Sequence, residues 1–128
     1  LVLEGLIERV HSLGMSAVVR ARTRRDALIA VEAGARIIAI DTRDPDTLAV
    51  DCGLFDQVTD VLPAQVVRIA AGGVRGPHDV MSFARCGADV VLVGEAIIRS
   101  TDPQQFVAEL VAAGAHPALI PSAHREVL

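Results

Sequence analysis

Residues 66–74 read VVRIAAGGV, and residues 90–97 answer them with VVLVGEAI. Each is a short apolar run that stops at glycine and hands over to a helix-like segment. A β-branched run without polar alternation suits a parallel strand buried on both faces. Glycine at its carboxyl end lets backbone N–H groups come close to a ligand, and a helix that follows adds partial positive charge. Two such ends side by side predict a phosphate cradle at Gly72, Gly73, Gly94 and Glu95. In (β/α)8 barrels that cradle comes from the last two strands, which places this pair at the end of a barrel. The plainer alternative is that these glycines only permit tight turns.

The 128 residues suffice for one domain that buries about two thirds of its unfolded surface. The chain is 52% hydrophobic but only 2% aromatic, so its core must be Val, Ile, Leu and Ala. That suits a barrel or doubly wound interior rather than a stacking platform for bases. The net charge of −4, with scattered arginines, predicts no nucleic-acid partner and no anionic membrane surface. No apolar run approaches the ~18 residues of a membrane span and no leader pattern opens the sequence, so a cytoplasmic protein is expected. Cys52 and Cys86 have no Cys or His nearby at zinc-like spacing, so no metal is expected. All twelve basic residues are arginine, which leaves no side-chain amine for a Schiff base or a lysine general acid.

Taken in order, the chain alternates. Residues 2–13 carry a helical apolar stripe ended by Gly14, and residues 16–22 read as a strand. Thr23 caps a helix to Glu32, and RIIAID at 36–41 is the second strand. TRDPDT follows as a loop around Pro45, then a helix over 54–61 stopped by Pro63. After the third strand, Gly76 and Pro77 start a helix that runs to Cys86. Residues 90–93 form the fourth strand, 97–100 a short helix and 103–113 an amphipathic one, with an irregular tail over 116–128. LGMSAVV from Leu13, AGARIIAI from Ala33 and CGADVVLV from Cys86 repeat one phrase, a glycine shortly before a strand. Such repetition marks stacked βα units, and right-handed crossovers make the strands parallel. AGAHPAL from Ala113 begins the phrase again, but Pro117 breaks it, so no fifth strand is expected. A chain that opens on a helix with no strand ahead reads as a cut into a larger pattern. The predicted fold is α/β, a parallel (βα)4 half of a TIM barrel matching strands 5–8.

Several phrases in order, HSLGMSAVV, EAGARIIAI, TRDPDTLAVD, RIAAGGVRG and GADVVLVGEAI, resemble the carboxyl-terminal half of indole-3-glycerol phosphate synthase, a ribulose-phosphate-binding barrel. The resemblance covers about residues 11–117. It implies tryptophan biosynthesis, a carbon–carbon lyase acting on a phosphorylated anthranilate-ribulose substrate, and no cofactor. Where that family's strand ends in Glu-Val-His, this chain has Arg20, Ala21 and Arg22. Where it has Asn after the second strand, Asp41 stands here, with Arg43 and Asp44 keeping the rest of the motif. Where it reads Glu-Ser-Gly, this chain reads Ala71, Gly72 and Gly73. Both carboxylates for proton transfer are therefore absent, and the family's lysines belong to strands that precede this stretch. General acid–base steps contribute about 10²- to 10⁴-fold each, so a degenerate catalyst with no catalytic residues is expected.

By the same resemblance, Gly73, Gly94 and Glu95 match positions whose backbone amides hold the substrate phosphate, and Arg43 matches an arginine near the substrate. Arg20, if it points inward, adds positive charge to the same mouth; the alternative is an ion pair with Asp41. His11, His78, His116 and His124 are read as structural or exposed. The expected ligand is a phosphorylated small molecule or inorganic phosphate. The expected partner is a second copy, as a homodimer, or a missing amino-terminal half-barrel, because open strand edges template pairing. Two alternatives stay open. One is another ribulose-phosphate barrel, similar to those of histidine biosynthesis, with Asp41 as acid or base. The other is a half-barrel that serves only as an assembly module.

Overall fold

The computed structural model describes residues 1–43 and 52–119. Helices and strands alternate: α1 Val2–Ser12, β1 Val18–Ala21, α2 Arg24–Glu32, β2 Ile37–Asp41, α3 Cys52–Thr59, β3 Val67–Ala71, α4 Pro77–Arg85, β4 Val90–Leu92, α5 Glu95–Arg99 and α6 Pro103–Gly114. A 3₁₀ turn, Pro117–Leu119, stands where the repeated phrase is broken by proline. The four strands form one sheet in the order β1-β2-β3-β4, all parallel. This is an α/β half-barrel. The second half of the TRDPDT loop and the tail beyond 119 lie outside the described residues.

The repeated phrase has one cause. Gly14, Gly34 and Gly87 take φ values of 74°, 87° and 94°, a left-handed conformation open to glycine without steric cost. Each lets the next residue's N–H reach back to the last helical turn: Met15 to the Val10 carbonyl, Ala35 to Ala30 and Ala88 to Phe83. These are Schellman closures, and each one aims the chain at the start of a strand. Helix α2 opens on a capping box, in which Asp26 N–H donates to Thr23 Oγ1 at 3.1 Å and Thr23 N–H donates to Asp26 Oδ2 at 3.1 Å.

One face of the sheet carries the core. Ile38, Ile40 and Ala70 are fully buried there against Phe55 and Val58 of α3 and Phe83 of α4. The Phe55 and Phe83 rings meet edge to face with centroids 5.7 Å apart. Among the described residues no helix covers the other face. In register across it lie Arg20, Ala39, Ile69 and Val90, and next to them Asp41, Ala71 and Leu92. At its two open ends Val18 and Leu92 are 53% and 61% exposed, which is what the missing half of a barrel interior would look like.

The elements keep their expected order with trimmed strand ends, and two helix starts moved. The helix expected at 97–100 begins at Glu95, because the Gly94 carbonyl already accepts the Ile97 and Ile98 amides at 3.0 and 3.2 Å. The helix expected at 54–61 occupies Cys52–Thr59, and a separate turn from Thr59 to Leu62 carries the chain to Pro63.

Candidate functional site

The carboxyl ends of β2, β3 and β4 meet at one mouth. Thr42, completely buried just past β2, ties it together: its hydroxyl donates to the Gly72 carbonyl at 2.7 Å, and its amide donates to the Ala71 carbonyl at 3.0 Å. The turn after β3 then runs through Gly72 and Gly73, with φ of 94° and 76°. At Gly72 a side chain is disfavoured. The positive φ strains it, and a Cβ would stand 3.3 Å from Arg43 Cγ, which would have to give way by a few tenths of an ångström.

Arg43 crosses this turn and its Nη2 reaches Glu95 Oε2 at 3.1 Å, so the end of β2 is linked to the start of α5. Glu95 is shared: its other oxygen lies 2.9 Å from Arg99 Nη2, one helical turn on. Arg43, Arg75, Arg99 and Glu95, with Gly73 and the small residues Val74 and Ala96, line a cleft of about 360 Å³. Three arginines and one glutamate line it, two of the arginines paired with that glutamate and the third, Arg75, near Asp79, inside a chain whose net charge is −4. A cleft so charged concentrates anions.

A second cluster sits beside it on the helix-free face. Asp41 Oδ2 accepts from Arg20 Nη2 at 3.0 Å and lies 3.5 Å from Arg22 Nε, and Asp41 Oδ1 accepts the Arg43 amide at 3.3 Å. Both oxygens of Asp41 are therefore engaged.

The expected site residues thus divide. Arg43, Gly73 and Glu95 come together in the cleft, Gly72 lies against Arg43, and Gly94 is the N-cap residue just before Glu95. Arg20 lies in register with Ala39 and pairs with Asp41 at 3.0 Å, with its side chain largely exposed. Ala71 pairs with Asp41 in the sheet and presents no titratable group. Three residues escaped sequence reasoning. Arg99 was detectable as the i+4 partner of Glu95 and Arg75 as the first cation after AAGGV, whereas buried Thr42 gave no local signal. Among the described residues no group of three or more His, Cys, Asp or Glu could hold a metal ion. Cys52 and Cys86 are partly buried, His78 and His116 exposed, and His11 half-buried.

A roomier cavity lies elsewhere. About 640 Å³ between α4, β4 and α6 is lined almost wholly by apolar residues such as Val80, Val91, Leu110 and Val111. It carries no convergent polar groups, so the smaller arginine-lined cleft is the better candidate for chemistry. No helix among the described residues is long and apolar enough to cross a membrane.

Comparison with known proteins agrees with this arrangement. The sequence model described as Indole-3-glycerol phosphate synthase matches residues 1–110. The chain is 54% identical over 118 residues to the indole-3-glycerol phosphate synthase of Beutenbergia cavernae, covering 92% of this chain and 44% of that protein. It is 50% identical over 117 residues to that of Kineococcus radiotolerans, covering 91% and 43%. The chain spans less than half the length of these curated relatives. Among solved structures, the thiamine phosphate pyrophosphorylase of Pyrococcus furiosus superposes with a TM-score of 0.75 at 16% identity, covering 93% of this chain and 56% of that one, a likeness of fold.

Proposed function

The chain belongs to the indole-3-glycerol phosphate synthase family, and from that premise we propose that it is the phosphate-binding half of such a barrel with its proton-transfer positions lost. One observation carries the reading: the 3.0 Å Arg20–Asp41 pair stands at the mouth where the resemblance places a family glutamate and asparagine. Neither member is free to move a proton. Arg20 carries donors only, and Asp41 is held by two guanidiniums and an amide. Ala71 and Gly72 offer nothing in place of the second carboxylate. The amide of Gly73 and the arginine cleft remain as the anion-binding part, suited to a phosphorylated small molecule.

Asp41 as acid or base of a different barrel reaction, as in a histidine-biosynthesis-like enzyme, has less support because its oxygens are already occupied. The reading is tested by incubating pure protein with the phosphorylated anthranilate-ribulose substrate. No indole product is expected, while inorganic phosphate should perturb the Gly73 and Glu95 amides in an NMR titration. Steady product formation that disappears in Asp41→Ala would overturn it.

The same reading includes a partner. Half a barrel leaves the outer edges of β1 and β4 unpaired and an apolar face uncovered. A two-fold axis along the barrel direction sets β4 of one copy beside β1 of the other twice over, with every strand still parallel. For the isolated chain the occupant is therefore a second copy.

A further inference from the structure

We propose that Glu95 is the internal counter-ion of the anion cleft: it holds Arg43 and Arg99 while no ligand is bound, and a phosphate monoester enters by taking both guanidiniums from it. This rests on the reading of the cleft as a phosphate site and assigns Arg99 and Arg75 to that site as side-chain contacts.

The geometry is that of a placeholder. Glu95 spends one oxygen on Arg43 at 3.1 Å and the other on Arg99 at 2.9 Å, so a single carboxylate bridges two cations from different elements. The third cation, Arg75, is only loosely engaged, with its Nε 3.9 Å from Asp79 Oδ2. All of these groups are substantially open to water: the side chains of Arg43, Glu95 and Arg99 are 43%, 53% and 78% exposed. Pairs so exposed are held weakly and yield to a competitor. A phosphate monoester is the stronger competitor, because it brings nearly two charges and three acceptor oxygens to planar donors that match it. Arg43 is also well placed for the exchange. Its stem already lies over the Gly72–Gly73 turn, so its guanidinium can pass from Glu95 to a ligand on that turn by side-chain rotation alone.

The carboxylate therefore has two effects. It keeps Arg43 and Arg99 together without ligand, and it lowers the affinity of the cleft for every anion, since a ligand must first displace it and then remain beside it.

The test is titration of the full chain with inorganic phosphate at low ionic strength, followed by amide shifts at Gly73 and by calorimetry. The parent is compared with Glu95→Gln, Arg99→Ala and Gly73→Asp. Glu95→Gln should bind phosphate about tenfold more tightly, and Arg99→Ala several-fold more weakly, with unfolding midpoints unchanged within error. Glu95→Gln that binds equally or more weakly, with Gly73→Asp still abolishing binding, would overturn the counter-ion while leaving the phosphate site standing. Failure of phosphate to bind the parent and Glu95→Gln alike would overturn both.

Discussion

Arg43 Nη2 lies 3.1 Å from Glu95 Oε2, and through that contact the end of the second strand is joined to the first residue of α5, the helix that follows the fourth. β3 stands between them in the sheet, so the arginine must pass over its carboxyl end. Gly72 leaves room for it there, since a Cβ at that position would stand 3.3 Å from Arg43 Cγ. The glycine pair thus has a structural duty beside any ligand role, and the two can be separated by substitution.

Gly72→Ala should destabilise the fold by about 1–2 kcal/mol, the cost of holding an L-residue in the left-handed region. The contact with Arg43 comes in addition, since a Cβ would stand 3.3 Å from its Cγ. Urea unfolding reads the change. A midpoint equal to that of the parent would show that the turn relaxes freely, and the claim that glycine is required there would fall.

How much of this was legible follows from where the information sits. The Gly14, Gly34 and Gly87 closures were legible because a Schellman end is specified by one residue and its immediate neighbours. The Arg20–Asp41 pair could be anticipated as one of two alternatives, since strand-end charges on adjacent parallel strands can meet. The bridge from Arg43 through Glu95 to Arg99 was not, because it depends on how far a long side chain reaches over an intervening strand. Thr42 was hidden for a related reason. A buried hydroxyl is explained only by its acceptors at Ala71 and Gly72, which are remote in sequence.

The Asp26 carboxyl is held below its ordinary range, first by the Arg22 amide and then by the Thr23 hydroxyl and amide, with desolvation opposing. A carboxyl depressed in the folded state stabilises fully above its unfolded pKa, and that contribution is lost as pH falls through the folded value. The cap should therefore stabilise at neutral pH and fade below about pH 4. Asp26→Ala should cost about 1 kcal/mol at pH 7 and much less at pH 3. Denaturant unfolding at both values checks it, and an equal cost at both would remove the charge from the explanation.

The outer core holds one aromatic pair among mostly aliphatic side chains. Phe83 is completely buried against Phe55, with ring centroids 5.7 Å apart. Phe83→Ala should cost about 3–5 kcal/mol, transfer and cavity together. Phe83→Leu should recover most of that, because it nearly restores the volume. Thermal unfolding of the two variants measures both, and a Leu variant as weak as the Ala variant would mean that ring geometry matters more than filled space.

The last prediction concerns the uncovered face. Val18 at one edge and Val90 and Leu92 at the other are all substantially exposed, and the strands that carry them have free outer edges. Exposed apolar side chains beside unpaired strand edges promote association with another chain. Here the two edges differ, one belonging to β1 and the other to β4, so each can serve as the other's partner only between copies. Two-fold pairing uses both and leaves none over, whereas a one-edge contact would leave a free edge at each end and grow into an open filament. Sedimentation at micromolar concentration should therefore give a discrete dimer rather than a distribution of sizes. Leu92→Lys should dissociate it by placing a charge on the face that the second copy covers, while far-ultraviolet circular dichroism stays unchanged if the half folds on its own. A stable monomer that binds no hydrophobic dye would refute the pairing. A broad, concentration-dependent distribution would instead mean that the edges associate without closing.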